Sequence, residues 1–173
     1  MNCVRIILRA VEWLSEWSGR VGGMLVLVMV FVVCYNVFLR YIFLSPTIWS
    51  YDTNYMLGGS MMVVGLAVVL KHDGHVRIDI LAVRFSKKTK LIIEIVFTLC
   101  VFIPALLMIS RAYWVDVFRA IEIGETLMRS SWYPVSWPFK AMLATGFSLF
   151  LLQGMVNVIK DVAALVGGGQ QPW

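Results

Sequence analysis

The sequence predicts an all-α integral membrane protein with four transmembrane helices and an N-terminal amphipathic helix at the membrane interface. Four apolar stretches fill most of the 173 residues, and each can cross most or all of a hydrocarbon core about 30 Å thick. Hydrophobic residues make up 60% of the chain and charged residues 14%, which is more apolar surface than a soluble domain of this size could bury. The unbroken apolar run at 24–33 argues against the alternating strands of a β-barrel.

The spans are predicted at about 21–41, 54–70, 91–111 and 141–160. Because almost no soluble segment separates them, residues 1–166 are expected to form a single four-helix membrane domain. The glycine-rich tail at 167–173 is expected to be flexible.

The segment before the first span predicts an amphipathic helix that lies in the interface and leads into the membrane. Its apolar residues recur at helical spacing: Val4, Ile7, Leu8, Val11 and Leu14. Its charged residues occupy the other side: Arg5, Arg9, Glu12 and Glu16. A helix that docks on a partner would show the same pattern. The two glutamates, with no small-residue cleavage pattern after them, do not fit a cleavable signal peptide.

The loops contain the helix breakers and interfacial aromatic residues expected at membrane edges. Pro46 breaks the chain after the first span, and Trp49 suits the headgroup level. The third helix is expected to continue past its span and stop near Gly124, with Pro104 as a kink candidate. Residues 132–138 predict an aromatic, kinked approach to the fourth span.

The basic residues are distributed unequally between the two sides of the membrane. Ten of the 15 Lys and Arg residues belong to the N-terminus, the second loop and the end of the fourth span, and five belong to the other side. The positive-inside rule therefore places both termini in the cytoplasm. Since these residues cluster at membrane edges without the aromatic pattern of RNA binders, we expect contacts with membrane lipids and not with nucleic acid.

The polar segment at 71–79 is the densest candidate for metal chemistry. His72, His75, Asp73 and Asp79 could ligate a metal, but H-x-x-H spacing alone is a weak signal and Gly74 indicates a turn. A cytoplasmic linker at the headgroup surface is the preferred interpretation. Neither histidine lies in a span, where a haem would need it.

A few polar and small residues lie within the predicted spans. Glu94, near the start of the third helix, is expected to cap that helix and pair with Lys87, Lys88 or Lys90; proton coupling is the alternative. Amides in lipid seek partners on other helices, so Asn36, Gln153 and Asn157 predict packed faces. Close helix approach is expected at the small residues of the second span: Gly58, Gly59, Ser60 and Gly65.

The motifs of enzymes and of complete transporters are missing from the sequence. There is no Walker loop, nucleophilic serine motif or zinc-binding helix, and no pair of repeats with interrupted helices. The three cysteines, Cys3, Cys34 and Cys100, show neither metal-ligand nor redox spacing. These observations favour a membrane scaffold or accessory subunit without a cofactor of its own.

Several segments, taken in order, resemble the small permease subunit (DctQ type) of tripartite ATP-independent periplasmic (TRAP) transporters. The resembling segments are 36–43, Pro46 with 49–52, 74–81 and 132–138. In the third of these, His75 and Asp79 match the family's signature of Gly/His-hydrophobic-x-hydrophobic-Asp. Family members often carry Trp-x-Glu-Glu, whereas here Trp49 is followed by a single acidic residue, Asp52, so no role is carried over for the first carboxylate.

The resemblance implies a fixed scaffold in the bacterial inner membrane. Its partners would be a large DctM-type permease subunit, which carries the sodium and substrate sites, and a periplasmic substrate-binding protein that delivers an organic anion, a carboxylate or a sulfonate. Sodium is thus expected in the large subunit and no cofactor in this chain.

Two other classes of membrane protein fit the sequence less well. A small four-helix multidrug/proton antiporter acting as a homodimer is the main alternative, but it needs a carboxylate in the middle of the first span, and none is present. A redox subunit would need histidines inside the spans. Within the scaffold interpretation, Arg40 and Asp52 flank the short first loop, and we expect an ion pair between them at the outer membrane edge.

Overall fold

The structure is a computed structural model that describes residues 2–45, 47–72, 87–128 and 130–166. Its elements are α1 (Asn2–Ile42), α2 (Ser50–Lys71), α3 (Lys87–Phe97), a π-helical turn (Thr98–Phe102), α4 (Ile103–Glu122) and α5 (Trp137–Val166). Four helical segments are long and apolar enough to cross a membrane: Leu8–Ile42, Ser50–Lys71, Ile92–Glu122 and Trp137–Ala163. The predicted all-α fold with four spans is therefore confirmed, although each helix extends beyond its predicted span.

The expectation of a separate interfacial helix at the N-terminus is wrong. The segment is the first part of α1, which continues without a break from Asn2 to Ile42 because no proline or turn sequence interrupts it. Its 41 residues extend about 60 Å, twice the thickness of a hydrocarbon core. Leu8, Ser15 and Ser18 are buried, so this part of α1 packs on other helices of the chain.

The helices pack in the order α1, α2, α5, α4, and the first part of α1 also reaches α5. Half of the most apolar window of α5 is buried, against 6% for the third span, so α5 is the central helix. Among the described residues, two apolar clusters form the core. One contains Val63, Phe139 and Leu143, and the other contains Leu106, Phe150 and Leu151.

The third span contains an irregularity next to its proline. The π-helical turn at Thr98–Phe102 lies directly before Pro104, at the start of α4. Proline lacks an N–H group and its ring clashes with the carbonyl four residues earlier, and a π-turn relieves this conflict by widening the helix locally. The turn also places the ring of Phe102 against Gly154 of α5, where α4 begins.

The third helix stops where the sequence predicted. Gly124 has a φ of +61°, and the N–H groups of Gly124 and Glu125 donate to the carbonyls of Ile121 and Ala120. This is the pattern of a Schellman C-cap, which requires a left-handed residue that glycine adopts without strain. The following loop folds back on itself, with an isolated antiparallel bridge between Thr126 and Val135, and leads into α5.

Candidate functional site

The four helices, packed in the order α1, α2, α5, α4, form a layer. Polar side chains and a backbone carbonyl from α1, α2 and α5 meet toward the end of this layer where α1 begins. The Ser15 hydroxyl donates to Gln153 Oε1 over 2.8 Å, and Gln153 Nε2 donates to Asn157 Oδ1 over 3.0 Å. Asn157 Nδ2 in turn donates to the carbonyl oxygen of Leu70 over 3.2 Å. Ser15 and Gln153 are fully buried. The expectation that Gln153 and Asn157 mark packed helix faces is confirmed, and the chain of bonds joins α1, α2 and α5.

Two ion pairs surround this network. Lys71 Nζ lies 2.6 Å from Glu16 Oε1 and also donates to the backbone carbonyl of Glu12 over 3.3 Å. Lys160 pairs with the Glu12 carboxylate. These pairs explain why the first part of α1 stands against α2 and α5: the charged side assigned to the headgroup region meets lysines at the ends of two other helices. The sequence shows both sets of charges but does not show which of them meet.

The opposite end of the layer is organised by a buried carboxylate. Asp52, in the first turn of α2, is fully buried, and its Oδ2 accepts a hydrogen bond from the Ser130 hydroxyl. Its Oδ1 has no hydrogen-bond partner among the residues that the structure describes. A helix N-terminus favours a negative charge at this position. At the same end of the helices, Lys140 Nζ lies 2.7 Å from Glu125 Oε2, which ties the start of α5 to the loop after α4.

The proposed ion pair between Arg40 and Asp52 is not formed. Arg40 is exposed and makes no ion pair within the described ranges, whereas Asp52 turns inward to Ser130. The end of α1 is instead tied down by Asn36, whose Oδ1 accepts from Thr47 N over 3.2 Å and from Thr47 Oγ1 over 2.7 Å. Asn36 therefore orders the first loop, and its partner lies in that loop and not on another helix. Arg40 and Asp52 are close in sequence across a short loop, but that proximity does not determine the direction in which either side chain points.

The remaining candidates of the first two spans differ in how tightly they pack. Trp49 stacks on Tyr35 with ring centroids 6.2 Å apart. A Cβ added at Gly58 would meet only Met29 Sδ, at 3.9 Å, and one added at Gly65 would meet nothing within 4 Å. The side of each glycine where a side chain would stand is therefore loosely packed, although the backbone of Gly65 does approach α1: a Cβ added at Gly22 would lie 3.9 Å from Gly65 N. Contact of these two glycines with another subunit stays a prediction.

Three candidates near the second loop stay predictions. His75 and Asp79 lie outside the described residues, as does most of the proposed metal-binding segment. Glu94 is half-buried in α3, but the lysine side chains expected to pair with it also lie outside what the structure describes. Within the described ranges, no group of three or more His, Cys, Asp or Glu residues is arranged to hold a metal ion.

A cavity of about 270 Å³ opens between α2 and the start of α5. It is lined by Thr53, Met56, Leu57, Ser60, Trp132, Pro138, Phe139 and Met142. Binding of an organic anion would require a cationic or strongly polar group at fixed positions. The polar side-chain groups of the lining are two hydroxyls and one indole N–H, and no lining residue is cationic, so this cavity does not suit such a ligand.

The fold and these contacts define a multi-pass helical membrane protein whose buried polar side chains hold its own helices together. Residues 29–164 match the model of the DctQ component of tripartite ATP-independent periplasmic transporters. The chain belongs to this family, which is a transporter component and not an enzyme family. Searches of curated proteins and of solved structures gave no significant match.

Proposed function

We propose that this chain is the small membrane subunit of a sodium-driven, binding-protein-dependent transporter for an organic anion such as a carboxylate or sulfonate. It acts as a scaffold for a large DctM-type subunit that carries the sodium and substrate sites. A periplasmic binding protein delivers the substrate. The complex lies in the bacterial inner membrane with both termini of this chain in the cytoplasm.

The observation that supports the scaffold role is that polar side chains of the spans form hydrogen bonds within this chain. Gln153, Asn157 and Asp52 bind groups of the same chain. A secondary transporter instead directs polar side chains and interrupted helices at a substrate near the midplane. Within the described ranges, these polar groups are bonded to other groups of the chain, and they form no substrate site of that kind. A layer tied together at both ends suits a part that stays still while another subunit moves.

The experiment that tests this proposal is reconstitution in proteoliposomes. We expect no sodium-driven uptake from this chain alone. Uptake is expected when the large subunit and substrate-loaded binding protein are added, and it should disappear when the sodium gradient is collapsed. Liposomes with the large subunit and the loaded binding protein, but without this chain, provide the matched control for the scaffold. Uptake by this chain by itself, or full uptake without it, would contradict the proposal.

The antiporter alternative finds no support in the structure. The acidic residues of α1 are Glu12 and Glu16, and both pair with lysines near the N-terminal end. A proton-coupled carboxylate would need to lie in the middle of the span, where α1 has none.

A further inference from the structure

Arg111 lies on a face of α4 that none of the described residues covers. The face of α4 that packs on α5 carries Leu106, Ser110, Val117 and Ala120, all of which are buried. Arg111 projects from the other side of the helix together with Met108 and Val115, and all three are exposed. Within the described residues, no ion pair or hydrogen bond involves the guanidinium group of Arg111.

Helix α5 gives a measure of how deep Arg111 lies. Lys140 and Lys160, near its two ends, both form ion pairs, and the helix between them covers about 30 Å, the thickness of a hydrocarbon core. The Ser110 hydroxyl lies 2.8 Å from the hydroxyl of Ser148, which follows Lys140 by about 12 Å of helix. Arg111 is adjacent to Ser110, so its backbone lies about 12 Å inside the nearer membrane edge.

A charge at this depth is costly unless it has a partner. Arginine can reduce the cost by extending to the headgroups. However, Cα–Cβ bonds point toward the N-terminus of a helix, and on α4 this direction leads away from the nearer edge. The exposed neighbours of Arg111 one turn before and after it, Met108 and Val115, are apolar. An arginine placed in this way is better satisfied by an acidic group on a neighbouring helix.

We propose that Arg111 pairs with a carboxylate of the large permease subunit inside the bilayer, and that the α4 face formed by Met108, Arg111 and Val115 is the contact with that subunit. This inference rests on the proposed function, since it takes the large subunit as the partner. The complementary charge requires an acidic side chain on the transmembrane helix that covers this face. The ion pair would fix the register of the two subunits, while the apolar neighbours supply the contact area.

The test is recovery of the large subunit with tagged variants of this chain from membranes that contain the complex. Loss of one member of a desolvated pair should lower recovery about tenfold or more for Arg111→Gln, while Arg111→Lys retains part of it. Arg119→Gln is the matched control, because Arg119 is exposed on α4 two turns closer to the helix end. Wild-type recovery with Arg111→Gln would overturn the assignment. Failure of the unaltered chain to recover the large subunit would instead overturn the proposed function.

A second measurement leaves Arg111 in place and so does not depend on how the variant folds. A photoreactive benzoylphenylalanine at Val115 should crosslink to the large subunit. The same residue at Val30, which is also exposed but lies on α1, is the control for crosslinking from another exposed apolar face. Crosslinks from Val115 only to a second copy of this chain, or only to lipid, would overturn the assignment. In the lipid case, anionic phospholipid would be the partner of Arg111.

Discussion

At the scale of single residues, Asp52 shows how burial decides the partner of a charged side chain. Its carboxylate could have met Arg40 across the short first loop, but it is fully buried and accepts its hydrogen bond from Ser130, 78 positions along the chain. Sequence identifies Asp52 as a residue of interest, because an acidic residue beside a membrane edge needs a partner. Whether Asp52 binds Arg40 or Ser130 depends on how the loop after α4 folds. The sequence around Asp52 does not determine the conformation of that loop.

A double-mutant cycle on the free energy of unfolding tests this contact. Asp52→Ala and Ser130→Ala should each destabilise the detergent-solubilised chain, and their effects should be non-additive by about 0.5–3 kcal/mol because both remove one hydrogen bond. Arg40→Ala combined with Asp52→Ala is the matched control and should be additive within about 0.5 kcal/mol. A coupling found with Arg40 and not with Ser130 would restore the ion pair expected from the sequence.

At the scale of helices, the distance between two packed backbones depends on particular glycines and not on how many glycines a helix contains. Gly146 lies against α2, where an added Cβ would be 2.8 Å from Val63 Cγ1 and 3.0 Å from the carbonyl carbon and oxygen of Val63. At Gly65, in the glycine-rich stretch of α2, an added Cβ would meet no atom within 4 Å. The close α2–α5 contact therefore depends on a glycine of α5, together with Gly59 of α2, which lies against Phe139.

Substitutions by alanine distinguish these two kinds of glycine. Gly146→Ala should lower the free energy of unfolding by about 1–3 kcal/mol, because its Cβ meets backbone that cannot move aside without separating the helices. Gly65→Ala should be neutral or stabilising by up to about 1 kcal/mol, since alanine favours a helix and meets no atom. Denaturation of both variants in mixed micelles provides the measurement. Equal losses from the two variants would show that α2 and α5 approach each other differently.

Sequence patterns predicted the helices well and their contacts only in part. Apolar length predicts a membrane helix directly, since unpaired backbone groups are excluded from lipid, and Gly124 marks a helix end through its own conformational freedom. The prediction for the N-terminal segment is wrong because an amphipathic helix shows the same sequence pattern whether it lies on lipid headgroups or packs on protein. Only the positions of Lys71 and Lys160 distinguish the two cases, and those come from other helices.

At the scale of the whole molecule, the described residues form a layer of helices fixed at both ends by polar contacts. At one end are the ion pairs of Lys71 and Lys160; at the other are the bonds of Asp52 and Lys140. Between them the helices meet through apolar packing, and the large exposed apolar faces of α1 and the third span suit lipid or another subunit. The structure thus separates two ends, and the basic residues indicate which end faces the cytoplasm.

Cysteine labelling in intact cells tests this orientation. The ten-to-five distribution of basic residues predicts that the end with both termini is cytoplasmic. In a chain whose native cysteines are replaced, a membrane-impermeant maleimide should modify cysteines introduced at Ile48 and Ser131, which are exposed at the opposite end. A cysteine at His72, exposed at the end of α2, should react only after the membrane is permeabilised. The helices fix positions 48 and 72 on opposite sides of the membrane. Labelling of the cysteine at position 72 in intact cells, with protection of the one at position 48, would therefore show that the orientation is opposite to the predicted one. It would also place the Arg111 face nearer the cytoplasmic leaflet, and the acidic partner would then be sought in that half of the large subunit.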